Sequence, residues 1–335
     1  AINAHLMAAG DRNEEAVIKV GKEFDSGFKE LAAKVNKRLY RSGTGVIGRV
    51  HGGTTVASTT IKLTDKADAW NAQIGDIIRF ASTDGGSLRT GGSASGLATI
   101  TGVDTVNGTW TAGTADLSAE TGMTLGDYLY IDGDAADGST NVCLAGLEDW
   151  LPVTDRNTKL AAAFFGLTRS TRPERLGGVY VDGTQGNGNS NDILVKLITE
   201  VGRQEGETDL VLCPIDFLSD LTREWANMKV GWQNAEVSAR QGDLVISKLY
   251  PGIKAFVAGR NVTIVPDRHC PSNRLYALQT DTWTLRHAGE GIPMFANELV
   301  GGPMLREATW ISGQTDIEIE SWLAGYGQLG CERPG

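Results

Sequence analysis

The sequence predicts an α+β fold, and three observations point there. An amphipathic helical pattern opens the chain. Residues 46–150 then turn to Thr, Ser, Gly and Val, with short strand-like runs and no helical period. The remainder mixes single helices with short strands. Helix, then strands, then a mixture does not repeat as strand–helix–strand units, so the order argues against an alternating parallel α/β sheet. Four segments follow: an N-terminal helical arm at 1–45, a β-rich insertion at 46–150, an extended connector at 151–190 and a mixed core at 191–335.

Within residues 11–40, Val17, Val20, Phe24, Phe28, Leu31, Val35 and Leu39 recur every three or four positions and share one helix face. Glu14, Glu15, Lys19, Lys22, Lys29, Lys34 and Lys37 occupy the rest of the surface. Asp11 is the expected N-cap, with Glu14 three residues on. Such a helix must cover its apolar face against its own domain or a neighbour. The run Gly43–Gly48 breaks it.

Strands are expected at Val56–Leu63, Asp76–Phe80, Ala98–Val103, Thr109–Thr111 and Tyr128–Asp132, separated by turn signals such as Asp84-Gly85-Gly86. Asn107-Gly108 predicts a two-residue type I′ hairpin, a turn that needs positive φ at both positions. Together these make a small antiparallel β-domain. Arg169, Arg172 and Arg175 mark the connector, which ends in the flexible run Gly183–Asn189. The stripe Ile193, Leu194, Leu197, Ile198 and Val201 predicts a helix to about Glu205. Asp209–Cys213 reads as a short buried strand, and Pro214 both ends it and starts a helix over Ile215–Asn227. Strands return at Leu244–Ile246, Lys254–Val257, Val262–Val265 and Arg274–Gln279, and Asp316–Glu320 alternates as a half-exposed strand.

Composition narrows the function. The chain holds 43 glycines and 9 prolines in 335 residues, well above the usual ~7% glycine. Its aromatic residues argue against a disordered chain. There are 31 basic against 41 acidic residues, a net charge of −10, which is not the footprint of a nucleic-acid-gripping domain. No run approaches the ~20 apolar residues of a membrane span, and the first residues lack a secretory signal pattern. Cys143, Cys213, Cys270 and Cys331 are too widely spaced to signal a metal site or a disulfide framework, and read as reduced thiols of a protein made in a cytosol. His5, His51, His269 and His287 show no ligand spacing. There is no nucleophile elbow and no phosphate-binding loop. Asp132-Gly-Asp134-Ala-Ala-Asp137 superficially resembles a calcium loop but lacks its glycine at position six and its glutamate at position twelve. An exposed acidic loop is therefore the expected reading of Asp132–Asp137. No catalytic, cofactor or metal set is expected, which leaves a structural or binding role.

Asp209-Leu-Val-Leu-Cys-Pro214, followed by Phe217 and Leu221, and later Arg274-Leu-Tyr-Ala-Leu-Gln-Thr-Asp281-Thr-Trp283-Thr-Leu285, form an ordered series. Gly252–Val257 and Asn261–Arg268 lie between them as strands. Gly126–Asp134, Gly146–Pro152, Phe165–Ser170 and Arg175–Gly178 precede them. In this order the segments, over roughly 120–330, resemble the major capsid proteins of tailed double-stranded DNA phages, with the Hong Kong-type shell fold. The resemblance implies an A-domain, a P-domain with a long spine helix at Asn191–Glu205, and an extended E-loop, with the β-rich segment near the N-terminus as an addition. Residues 41–63 and 151–190 are the two E-loop candidates.

The resemblance further implies pentamers and hexamers that tile an icosahedral shell around packaged double-stranded DNA, without sequence-specific binding, catalysis or a membrane. It implies a virion protein made in the host bacterial cytoplasm, with scaffolding, portal and cement or decoration proteins as further partners. The expected assembly contacts are Phe24, Phe28 and Leu31 on the first helix, Arg169, Arg172 and Arg175 pairing with acids across subunits, and Trp225 and Trp232 as anchors. Trp225 suits a plain core equally well. An encapsulin-type nanocompartment shell shares the fold, and a calcium-stabilised β-rich adhesion or decoration protein is the alternative of another class.

Overall fold

The computed structural model describes residues 2–3, 14–90, 96–113, 116–138, 143–184, 188–228, 233–235, 252–287, 294–295, 306–307, 318–320, 323–324 and 327–332. The fold is mixed α+β. Its first helix, α1, runs Glu14–Leu39, and the expected N-cap Asp11 lies outside the described residues.

The β-rich segment forms an antiparallel sheet of six strands: β1 (Val46–Arg49), β2 (Thr60–Lys62), β3 (Ile77–Ala81), β4 (Ala98–Asp104), β5 (Thr109–Ala112) and β6 (Tyr128–Ile131). Their order is β1-β6-β3-β4-β5-β2. The two outer strands meet through a bridge from Val50 to Leu63. His51 N donates to the Lys62 carbonyl at 2.8 Å and Thr64 N to the Arg49 carbonyl at 2.9 Å. The sheet thus curls back on itself, which removes the unpaired edges that make open sheets aggregate. Alternating side chains fill the interior: Ile61, Ile78, Phe80, Ile100, Trp110 and Leu129 are fully buried. Trp110 Nε1 is satisfied by the Ala69 carbonyl at 3.2 Å.

The β4–β5 hairpin departs from the expected two-residue turn. Asp104 pairs with Thr109, so the loop is four residues, 105–108. The Asp104 carboxylate accepts from the backbone of Val106 (2.9 Å) and Asn107 (3.1 Å) and from the Asn107 side chain (2.6 Å). A side-chain turn has taken the donors that a tighter turn would have sent across the strands. The two-residue hairpin turn is found at Ala258-Gly259, with φ 48° and 83°, where Val257 faces Arg260.

The connector is not extended. Two short helices precede it, α2 (Leu117–Thr121) and α3 (Leu147–Trp150), and it holds α4 (Arg156–Ala161), a 3-10 turn at Arg169–Thr171 and α5 (Pro173–Leu176). Gly146, just before α3, sits against the end of α1. A Cβ there would lie 2.4–2.5 Å from the carbonyl oxygens of Arg38, Leu39 and Arg41, so only glycine fits.

The mixed core begins with α6 (Ser190–Arg203), then β7 (Leu210–Cys213) and α7 (Ile215–Met228). The strands β8 (Gln233–Ala235), β9 (Gly252–Val257), β10 (Arg260–Pro266) and β11 (Tyr276–Leu278) complete a sheet ordered β11-β7-β10-β9-β8. β7 runs parallel to β10 and antiparallel to β11. Leu194, Ile198, Leu221 and Trp225 from the two helices share a core with Val211 and Ile264 of the sheet. Glu224 on α7 caps α6, accepting from the backbone of Ser190 and Asn191 at 2.9 Å each. Trp225 Nε1 donates to Asn191 Oδ1 at 2.9 Å. The expected strand Leu244–Ile246 lies outside the described residues.

The chain divides into two compact units. The larger takes 37–284 and 329–335. The smaller takes 1–36 and 285–328, so α1 runs across the boundary. Within the smaller unit Glu318–Glu320 pairs antiparallel with both Ile2–Asn3 and Arg306–Glu307, and Met294–Phe295 pairs with Leu323–Ala324.

Candidate functional site

The connector places an exposed apolar turn over a buried, charge-bearing base. Ala161-Ala-Ala-Phe-Phe-Gly-Leu-Thr168 is an uncharged run, and all of it except half-buried Phe164 is exposed. Phe164 and Leu167 exchange backbone hydrogen bonds at 2.9 and 3.0 Å. Phe165 and Gly166 fill the turn with φ 48° and 81°. An aromatic residue seldom adopts that left-handed conformation. Phe165 is 63% exposed and Leu167 60%.

The base is aromatic. Trp150 meets the Phe164 ring edge-on at 4.9 Å, stacks with Phe165 at 5.7 Å and meets Trp283 at 6.2 Å. Its indole N–H donates to the Leu329 carbonyl at 3.1 Å. Below the turn lies Arg169. Its guanidinium sits 4.2 Å from the Phe164 ring centre and donates to the carbonyls of Asp149 (2.6 Å), Trp150 (3.3 Å) and Lys159 (3.4 Å). Burial pulls its pKa below the usual guanidinium value, still far above neutrality. Arg156 performs a similar task, donating to the carbonyls of Pro152, Gly177 and Gly178 at 2.6–3.0 Å.

A buried charge network anchors this base. Lys159 lies 3.2 Å from Asp84 of the β-domain and 3.4 Å from Glu148. Burial lowers the Lys159 pKa, but Glu148, Asp84 and Asp149 outweigh it and hold the ammonium above its usual value. Glu148 also pairs with Arg274 of the mixed core and accepts from Thr154 N at 3.1 Å. Asp149 accepts from Gly43 N at 2.6 Å, and burial raises its pKa. The connector therefore joins the β-domain to the mixed core through charges that neither partner can release cheaply.

Asp132 and Asp137 of the expected acidic loop are exposed and Asp134 is half-buried, while acids on either side of it are interior. Asp127, Glu148 and Asp149 are buried. Asp127 is paired with Arg89 at 2.5 and 2.7 Å, Asp132 with Arg79 at 2.9 Å, and Asp134 with Arg38. Asp116 caps a short helix, and Asp137 accepts from Leu88 N at 2.9 Å. Among the described residues no group of three or more metal-ligating side chains comes together, and no helix is long and apolar enough to cross a membrane.

The expected contact residues fall in different places. Arg169 is interior and has partners within its own chain, which differs from the expected pairing across subunits. Trp225 is buried between α6 and α7, as a core residue. Arg172 and Arg175 are exposed, on the wall of an open groove of about 1420 Å3 that α6 and residues 272–279 also line. Leu31 is half-buried on α1. Phe24 and Phe28 lie on α1, and Trp232 lies outside the described residues. Phe165 and Leu167 had a sequence signal, the eight-residue uncharged run in an otherwise charged segment. Glu148 and Lys159 had none, because their roles depend on contacts over long sequence separation. No protein-family model matches the chain, and no curated protein matches it.

Proposed function

We propose that this protein is a self-assembling shell subunit of the tailed-phage major capsid type, forming pentamers and hexamers that enclose double-stranded DNA. One observation carries the proposal. The segment on which the resemblance rests, Asp209–Leu221, folds as a unit: β7, Pro214 and α7, with α6 before it, packed as two helices against a mixed five-stranded sheet. The resemblance implies a strand–Pro–helix unit after the spine helix, and the order α6, β7, Pro214, α7 supports that reading. The acidic net charge suits a wall that must not bind the polymer it encloses. The acids that suggested a calcium-stabilised protein are engaged with the chain's own donors, which favours the shell over that alternative.

The test is expression of the full chain, followed by sedimentation and negative-stain electron microscopy at high concentration. Capsomer rings or icosahedral shells are expected. A monodisperse monomer would overturn the proposal, and shells holding protein cargo in place of nucleic acid would assign it to the encapsulin-type alternative.

A further inference from the structure

We propose that the Phe164–Leu167 turn, together with Arg172 and Arg175 that follow it, is the contact by which one copy of this chain seats on an acidic surface of a second copy. The proposal rests on the shell reading for the identity of the partner. Exposed apolar surface of this kind marks an interaction site, and here it is presented rigidly. Reciprocal backbone bonds close the turn, Trp150 packs on both phenylalanines, and Arg169 fills the space beneath Phe164. A preformed knob loses little conformational freedom on docking.

Charge selects the partner. Of the cations in residues 156–175, Arg156, Lys159 and Arg169 are engaged within the chain, which leaves Arg172 and Arg175 exposed on a chain of net charge −10. Two copies of such an acidic chain repel one another on average. The Arg-flanked apolar knob is the face that an acidic copy attracts. Knob against knob would oppose arginine to arginine, so the contact is heterologous: the knob of one copy meets a different surface of the next. Heterologous contacts propagate and close into rings when the rotation permits.

The experiment compares the full-length protein with two double variants, Phe165→Ser/Leu167→Ser and Arg172→Glu/Arg175→Glu. Both alter exposed side chains, and thermal melts of the subunit check folding. The Arg pair stands alone as the test if the first variant melts early. Sedimentation velocity over a concentration series reads association. Each variant should raise the half-association concentration at least ~10-fold, and about 0.5 M NaCl should weaken the wild type in the same direction. Shells that form unchanged in a folded variant overturn the knob contact and leave the shell reading standing. Small oligomers without shells that the variants abolish keep the contact and overturn the shell. A wild-type monomer overturns both.

Discussion

At the scale of single residues, three arginines that look alike in the sequence do different work. Arg169 is 4% exposed and ties three carbonyls and an aromatic ring together inside one subunit. Arg172 and Arg175 are exposed. Replacing Arg169 with Ala leaves buried carbonyls without donors and a void under Phe164. The subunit should lose about 2–4 kcal/mol of stability, the range for breaking a buried hydrogen-bonded charge. Arg172→Ala and Arg175→Ala should each stay within about 0.5 kcal/mol, as exposed substitutions do. Urea denaturation of the monomeric chain measures all three. Equal effects would mean that Arg169 is not the brace described. Sequence could not separate them, because the spacing Arg169-x-x-Arg172-x-x-Arg175 is regular. What decides is the 3-10 turn at Arg169–Thr171, which points one side chain inward.

At the scale of elements, legibility followed how local the determinants were. The strand–Pro214–helix unit, the α6 stripe and five of the β-domain strands were readable, because period and punctuation are local properties. The 105–108 loop was misread, because the Asp104 side chain outcompetes the Asn107-Gly108 signal. The connector departs from the expected extended chain, since its short helices are held by Lys159 and by Glu148 and Asp149 just before it, whose partners Asp84, Arg274 and Gly43 lie far away in sequence. The junction between β-domain and mixed core was not legible at all. There the 3-10 turn Lys66–Asn71 meets the end of α1 and the turn at 267–274. Asp68 is paired with Arg41 and lies 3.4 Å from Asn71 Nδ2, and Lys37 donates to the Asn71 carbonyl at 3.1 Å. Ser272 donates to Asp65 at 2.9 Å, and Arg268 lies over Trp70.

Two buried groups at this junction titrate in opposition. Burial, only partly offset by Arg41 and reinforced by the nearby Asp65 carboxylate, raises Asp68 to about 6. Burial lowers His269 to about 4, against the pull of Asp267 and with Arg268, Lys37 and Arg41 adding to it. The raised Asp68 means the folded state holds its proton more tightly than the unfolded chain. Its contribution is therefore present at low pH and is lost as pH rises from about 4 to about 6. His269 works the other way: its neutral form favours folding, and stability falls as pH drops from about 6.5 to about 4. The two therefore act in opposite directions in the wild type. In Asp68→Asn, stability relative to wild type should improve by an amount on the order of 3 kcal/mol between pH 4 and pH 7, since each pK unit is worth about 1.4 kcal/mol. In His269→Asn it should improve toward acid. Urea midpoints at a series of pH values read both, and parallel profiles for all three proteins would remove the junction as their origin.

At the scale of the whole molecule, the larger unit contains separate apolar cores. One lies entirely within 47–129, inside the closed sheet. Another joins α6 and α7 to the five-stranded sheet, and a third gathers Tyr40, Leu147, Leu212, Val265, Tyr276 and Leu329 around its other side chains. What links the first core to the others is the polar junction and the charged connector. Apolar cores unfold cooperatively when they are continuous, and polar seams divide chains into separately opening units. The monomeric chain should therefore unfold in two steps, reported separately by Trp110 in the closed sheet and Trp225 between the helices. Ile100→Ala removes a fully buried side chain from the first core alone. It should cost about 2–5 kcal/mol, shifting the Trp110 transition and leaving the Trp225 transition in place. Fluorescence of single-tryptophan variants against urea tests this, and coincident movement of both transitions would show that the junction couples the cores into one cooperative body. In a shell the distinction has a consequence. A subunit whose β-domain can shift at a polar junction, while each core stays packed, can meet five- and six-fold neighbours by moving whole domains and keeping their interiors unchanged.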